Sequence, residues 1–297
     1  MGKAFYDRFP VSKEIFHVAG HKLGFDVEAL CFEGPAEELT KTEKCQPALF
    51  TTSLAAFFAL RQLIPEETVP VAGAGLSLGE LSALTAAGVF TLEEGFYLIQ
   101  ARAEAMAECA AKSPGTMLAV IGMPADGIEE VCREAQVFGA NYNTPEQVVL
   151  SGTVEGIERA EALAKSKGAK RVAKLDVAGA FHSPLMGPAA EAFRKALQKV
   201  QIRPPDFPVV SNATGASLRH PHEIGELLVQ QIVSPVKWEA SVRHMIKEGA
   251  TQFIEFPPAK VLTGMLRRID AMAKGLTVDE PKDLEKLSEV FSVPLAV

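Results

Sequence analysis

The chain has 297 residues, 47% of them hydrophobic, and a formal net charge of −7. That length allows one large domain, or a main domain carrying an inserted one, with a sizeable core. The acidic balance argues against a nucleic-acid groove as a global property, and no run approaches the roughly 20 apolar residues of a membrane helix. The opening stretch MGKAFYDRFP lacks the apolar centre of a secretory leader. Four cysteines, Cys31, Cys45, Cys109 and Cys132, form no CxxC pair and no cluster with zinc spacing. They predict reduced thiols, no metal site and a cytoplasmic location.

Taken in chain order, residues 47–63, PALFTTSLAAFFALRQL, predict an apolar helix buried on most sides. Residues 69–73 are a short apolar run bounded by proline and glycine, and predict a buried strand. SLGELSALTAAGVF follows as a helix of small residues suited to close packing on a sheet. Thr91 and Glu94 form a capping box, opening a helix that runs to about Lys112. The texture then changes. Strands are predicted at 115–123, 137–143, 146–152 and 171–179, with helices at 125–135 and 155–168. The order β-α-β-β-α-β is the split βαβ unit of ferredoxin-like domains. Its two ends lie close together, so it can be inserted into a larger domain. The predicted organisation is a main α/β domain over 1–113 and 178–297, with an inserted subdomain over 114–177. Beyond it come helices at 188–200, 222–232 and 259–269 and strands at 207–212 and 252–256. The charged tail from about Gly275 is expected to be peripheral.

The chemistry begins at Gly75-Leu-Ser-Leu-Gly79. A strand running through such a segment into a helix is a nucleophile elbow. The turn lifts the serine hydroxyl above the sheet, and the two glycines make room for strand and helix. The N–H of Leu78, the residue after Ser77, is one natural oxyanion donor at the helix N-terminus. The competing reading is a plain N-cap serine.

A serine nucleophile needs a base. Among the histidines, His17 and His21 lie i, i+4 on an early helix without an evident third ligand, and His220 and His222 flank Pro221 in a polar turn. Both pairs read as surface. His182, in AGAFHSPLM, stands where the inserted unit ends, preceded by small residues that allow close approach. Asp176 lies six residues earlier, and strand alternation argues against its reaching the same imidazole. A backbone carbonyl can orient the ring instead. Arg102, in LIQARAEAMAECA, has small apolar flanks that suit a buried guanidinium as readily as an exposed one. When buried, its fork suits a carboxylate.

Together these segments resemble the malonyl-CoA:acyl carrier protein transacylases and the related acyltransferase domains of polyketide synthases. TEKCQPALF, GLSLGE, QARAEAM, ANYNTPEQVVLSG, AFHSPLM and QQIVSPVKW each resemble a family motif, and the match runs to about Ile269. The resemblance implies an α/β-hydrolase-like main domain with a parallel sheet and an inserted ferredoxin-like domain. It implies Ser77 as acyl nucleophile, His182 as base, and the backbone carbonyl of Gln231 as the group orienting the imidazole. Arg102 would hold the free carboxylate of the malonyl group, Leu78 would supply an oxyanion N–H, and Phe181, Met106 and Gln46 would contact substrate. The implied partners are malonyl-CoA and acyl carrier protein, served by a monomer. No cofactor is expected beyond coenzyme A and phosphopantetheine as carriers.

Three departures stand out. The family begins with a strand and a GQG loop ahead of a helix that residues 1–6 resemble; here neither precedes Met1. The expectation is either that the true start lies upstream or that this is a short, weakened protein. Leu76 stands where a histidine is common, and residues 256–259, FPPA, stand where the family has a glycine-containing turn. The turn there must therefore be built differently. The competing functions are a polyketide-type acyltransferase, a serine hydrolase of esters or thioesters, and a non-catalytic carrier-binding relative.

Overall fold

The computed structural model describes residues 1–177 and 179–292. The chain opens with five helices: α1 (Lys3–Arg8), α2 (Pro10–Leu23), α3 (Val27–Glu33), α4 (Ala36–Thr40) and α5 (Thr42–Leu63). Next come α6 (Leu78–Ala86) and α7 (Leu92–Lys112). The middle of the chain is β1 (Gly115–Ile121), α8 (Ala125–Ala135), β2 (Phe138–Thr144), β3 (Gln147–Thr153), α9 (Val154–Ser166) and β4 (Arg171–Lys174). A 3₁₀ turn at Pro184–Met186 leads into α10 (Gly187–Leu197), β5 (Val209–Val210), β6 (Ser217–Leu218), α11 (Pro221–Val233) and α12 (Trp238–Lys247). The chain closes with β7 (Gln252–Glu255), α13 (Val261–Ile269), β8 (Lys274–Thr277) and α14 (Pro281–Ser292). Among the described residues no helix is long and apolar enough to cross a membrane.

The chain forms two compact units. The first comprises Met1–Gln100, Arg203–Val209 and the segment from Met245 onward; the second comprises Ala101–Ile202 and Val210–His244. The second unit thus takes in more chain than residues 114–177. Its sheet edge explains part of this. Val236 N–H donates to Ala140 O at 2.8 Å and Tyr142 N–H to Val236 O at 2.9 Å, so residues around Val236 extend the sheet beyond β2.

Within the first unit, α5 is buried along most of its length, from Gln46 through Leu60. The capping box at α7 is formed in both directions: Thr91 N–H donates to Glu94 Oε2 at 2.8 Å, and Glu94 N–H to Thr91 Oγ1 at 3.2 Å. The strand expected at 69–73 shrinks to a single parallel bridge, Gly73 to Val209. Gly73 N–H donates to Pro208 O at 2.7 Å. Pro70 has no N–H to give to a ladder, and the preceding turn is tied instead to α5, where Arg61 donates to the carbonyls of Thr68 and Glu66. Val69 and Val71 are exposed. The tail differs from expectation as well. β8 pairs in parallel with β7, and Leu284 and Leu287 of α14 enter a core with Phe5, Phe9, Ala56 and Leu60. Apolar residues at helical spacing, not the charges between them, decide where this segment goes. At the FPPA turn the left-handed residue is Lys260, with φ 86°, and the N-terminus of α13 is capped by the buried Glu255. Its carboxylate accepts from Leu262 N at 2.7 Å and Thr263 N at 2.8 Å.

Within the second unit, the four-stranded sheet has the order β2-β3-β1-β4 with antiparallel pairing throughout. That is the ferredoxin-like arrangement, in which each helix crosses over one intervening strand. One face carries Leu118, Val120, Val148 and Leu150 under Ile128, Val131, Ile157 and Ala160 of the two helices. Period-two alternation sends Met117, Ala119 and Val149 to the other face, where Leu175, Val177 and Phe181 pack. β4 ends at Lys174, sooner than the expected 179, because Val177 N–H turns back to Leu175 O at 3.0 Å. Ala178, part of that expected strand and of the segment leading to His182, lies outside the described residues.

Candidate active site

In the first unit Ser77 is the N-cap of α6, with φ 54° and ψ −107°, and its side chain makes no cap hydrogen bond. An ordinary N-cap serine has extended backbone and an oxygen turned back onto the N2 or N3 amide. Ser77 has neither. The steric reason is Gly75. A Cβ there would sit 2.1 Å from the carbonyl carbon and oxygen of Gly79, whereas a Cβ on Gly79 itself meets nothing within 4 Å. Only one of the two glycines is therefore demanded by space. Gly75→Ala is expected to lower stability by about 3 kcal/mol or more, because the added Cβ meets backbone atoms that cannot swing aside as a side chain can. Gly79→Ala, inside a helix, is expected to raise stability by about 0.5–1 kcal/mol. Thermal unfolding of the two variants checks the contrast. The amides at the start of α6 are also differentiated. Gly79 N–H donates to Leu76 O at 3.0 Å and Glu80 N–H to Ser77 O at 3.1 Å, while Leu78 N–H has no acceptor among the described residues. Gln46 is buried in the first turns of α5, its amide donating to Thr42 Oγ1 at 2.8 Å.

The second unit holds His182, Gln231 and Arg102 together. His182 is buried and has φ 57°. Only four non-glycine residues among those described have positive φ, and Ser77 and His182 are two of them. Such strain, of order 1–3 kcal/mol each, persists where surrounding structure enforces it. Around His182 the enforcement is visible. A Cβ on Gly115 would lie 2.7 Å from Ala180 Cβ, and one on Gly179 would lie 2.5 Å from the Phe181 ring. Ser183 Oγ donates to Ala180 O at 2.6 Å.

His182 Nδ1 lies 2.8 Å from the carbonyl oxygen of Gln231. Gln231 is in the last turn of α11, whose final carbonyls have no intrahelical donor. The imidazole N–H fills one of those vacancies, which fixes the proton on Nδ1 and leaves Nε2 as the basic atom. Asp176 is exposed. Arg102 is buried, and its Nη2 donates to Gln231 Oε1 at 2.9 Å. One residue therefore holds the imidazole by its main chain and the guanidinium by its side chain.

Burial, with the Arg102 charge adding to it, holds the His182 imidazole down at about 4, against the pull of the Gln231 hydrogen bond. The base is neutral at ordinary pH. Acylation is expected to stay level in its dependence on His182 down to about pH 5 and to fall tenfold per pH unit only below about 4. A pH–rate profile checks this; an acid limb near pH 6.5 contradicts it. The sign for stability follows. The folded value is depressed, so the unfolded chain binds the proton first. Stability is lost as pH falls from the ordinary imidazole value of 6.5 to about 4, by on the order of 3 kcal/mol.

Phe181 is half-buried against the sheet face formed by Met117, Ala119 and Val149, and Met106 is buried in α7. His220 and His222 are exposed, and His17 lies 3.6 Å from Glu28. No group of three or more potential metal ligands occurs among the described residues. The four cysteines are free, and burial pushes Cys31 and Cys132 up to about 11. One residue that sequence reasoning missed is Asn212. It is fully buried, and its Oδ1 accepts from Gln231 Nε2 at 3.4 Å. Its only signal in the sequence was a polar residue closing an apolar run, SN before ATG, which reads as the end of a strand.

A strained serine on a helix N-terminus in one unit, and an oriented neutral histidine with a buried arginine in the other, are the kinds of group that acyl transfer through a serine ester uses. The acyl transferase domain family matches residues 3–278, and the chain belongs to it. It is 40% identical over 292 residues to the malonyl CoA-acyl carrier protein transacylase of Bacillus subtilis (strain 168), covering 96% of this chain and 90% of that protein. Among solved structures, the acyl-carrier-protein S-malonyltransferase of Bartonella henselae superimposes with a TM-score of 0.95 at 36% identity, covering 99% and 95% of the two chains. A chain in the structure of a type II PKS acyl-carrier protein in complex with its malonyl-transacylase matches with a TM-score of 0.93 at 34% identity, covering 98% of this chain and 94% of that one.

Proposed function

We propose that this protein moves a malonyl group from malonyl-CoA to the phosphopantetheine thiol of acyl carrier protein, through an ester on Ser77, in fatty acid biosynthesis. Ser77 Oγ attacks the thioester carbonyl carbon while His182 Nε2 takes the hydroxyl proton. The oxyanion receives the Leu78 N–H. The C–S bond breaks, and the departing coenzyme A thiolate takes the proton from Nε2. The carrier thiol then gives its proton to Nε2 and attacks the ester, and Ser77 Oγ leaves with the proton returned. Arg102 pairs with the free carboxylate of the malonyl group throughout. Gln46, Met106 and Phe181 line the acyl group. Neither half-reaction calls for a metal or a further cofactor, and the protein acts in the cytoplasm as a monomer. In this reading 1–113 and 178–297 form the hydrolase-like core, and 114–177 is the insertion.

The observation that carries the proposal is the double role of Gln231, which gives the base its tautomer and the buried cation its place. A basic imidazole beside a buried cation suits an acyl group that itself bears a carboxylate. A serine hydrolase would favour a carboxylate on Nδ1, where a main-chain carbonyl is found. The experiment is a burst measurement. With malonyl-CoA and no carrier, the protein should release coenzyme A in an amount equal to itself and then stop. Adding carrier should restore turnover with parallel-line kinetics. Steady release without carrier points to hydrolysis, and no release points to an inert relative. Supplying fatty-acid and polyketide carriers in turn separates the two pathways by relative kcat/KM.

A further inference from the structure

Arg102, Gln231 and Asn212 form a series of buried polar side chains: Arg102 Nη2 donates to Gln231 Oε1 at 2.9 Å, and Gln231 Nε2 to Asn212 Oδ1 at 3.4 Å. We propose that Asn212 is a positioning residue that holds the Gln231 amide, and through it the Arg102 guanidinium, in the orientation that receives the carboxylate of the acyl group. This rests on the reading of Arg102 given above.

A glutamine amide is nearly symmetric in shape and opposite in polarity at its two ends. With its oxygen toward Arg102 it accepts a charge-assisted hydrogen bond; turned over, it sets N–H against N–H. An acceptor at the far end, Asn212 Oδ1, fits only the first orientation. Gln231 also binds the guanidinium as a neutral group. This contact fixes the geometry without itself cancelling the charge.

Asn212 can serve as an anchor because its backbone is held on several sides. Its carbonyl accepts Lys237 N–H at 2.8 Å. The turn between β5 and β6 is closed by Ser211 N–H to Ala216 O at 2.9 Å and Gly215 N–H to Ser211 O at 2.8 Å. Ser211 Oγ accepts Ala213 N–H at 3.2 Å. Gly215 has φ 72°, and a Cβ on it would meet Ala240 Cβ at 2.8 Å, so the turn is also packed tightly against α12.

The main chain of Gln231, which orients His182, is fixed by α11 and does not depend on Asn212. Asn212 therefore governs acyl choice and not base strength. The test is the rate of coenzyme A release from malonyl-CoA and, on the same preparation, from acetyl-CoA, whose acyl group has no carboxylate. The folded fraction cancels from their ratio. Asn212→Ala is expected to lower kcat/KM for malonyl-CoA roughly ten- to hundredfold, mainly through KM, with the acetyl-CoA rate unchanged. Asn212→Asp, which keeps the acceptor, should recover most of the malonyl-to-acetyl ratio. If the alanine variant does not fold, Asn212→Ser, whose hydroxyl is too short to reach the amide, is read in its place. An unchanged ratio in these variants, with Arg102→Ala collapsing it, overturns the role of Asn212 alone. An unchanged ratio in Arg102→Ala overturns both.

Discussion

Ser77→Ala is expected to remove transfer altogether, lowering kcat/KM for malonyl-CoA by roughly 10⁴-fold or more. The size of the effect follows from the chemistry, because without Oγ there is no atom to carry the acyl group between the two thiols. The fold should survive. Ser77 caps nothing with its side chain, and its positive φ suits alanine no worse than serine, so the melting temperature should move little. A stopped-flow assay of thiol release, run beside a melting curve, reads both quantities. Retention of activity above a hundredth of the unmodified rate would show that another group carries the acyl chain.

Arg102→Ala is the second large effect. The guanidinium is almost wholly buried on α7 and held by Gln231. Breaking a buried charge pair costs about 3–5 kcal/mol, so kcat/KM for malonyl-CoA should fall roughly 10²–10⁴-fold. Transfer from acetyl-CoA should not fall, since its methyl group has no claim on the cation. The variant thus exchanges selectivity, not catalysis. Equal losses on the two substrates would mean that Arg102 supports the fold or the base and does not read the carboxylate. His182 gives an internal check. Removing the neighbouring positive charge should raise the imidazole above its present value of about 4, so the acid limb of the acetyl reaction should move to higher pH.

Much of this arrangement is local and could be read from residues near each other in the chain. The capping box at Thr91, the alternation in 115–121 and 147–153, and the GLSLG turn each need only a few neighbours to be recognised. The β-α-β-β-α-β order was legible because each strand is separated by a strongly amphipathic helix or a tight hairpin. What escaped depends on distant partners. The apolar run at 69–73 has strand composition, yet only Gly73 finds a neighbour, at Val209. The charged tail looked peripheral because its apolar residues are sparse, and it is their spacing along α14 that takes Leu284 and Leu287 into the core with Phe5 and Phe9. The short helices α3 and α4, of seven and five residues, offer too few turns for a period to show. At the site, no spacing rule ties His182 to Gln231 across 49 residues; only the family likeness pointed there. Asn212 carried no motif at all, and its place emerged from the hydrogen bonds around the turn that holds it.

The most direct test is to follow the acyl group itself. Protein mixed with isotopically labelled malonyl-CoA is quenched in acid, digested and mapped by mass spectrometry, and a parallel sample is chased with a phosphopantetheine-bearing carrier before quenching. The account predicts one malonyl ester, on the peptide containing Ser77, that disappears into the carrier during the chase. A label on a different residue, or a Ser77 ester that the carrier cannot remove, contradicts it.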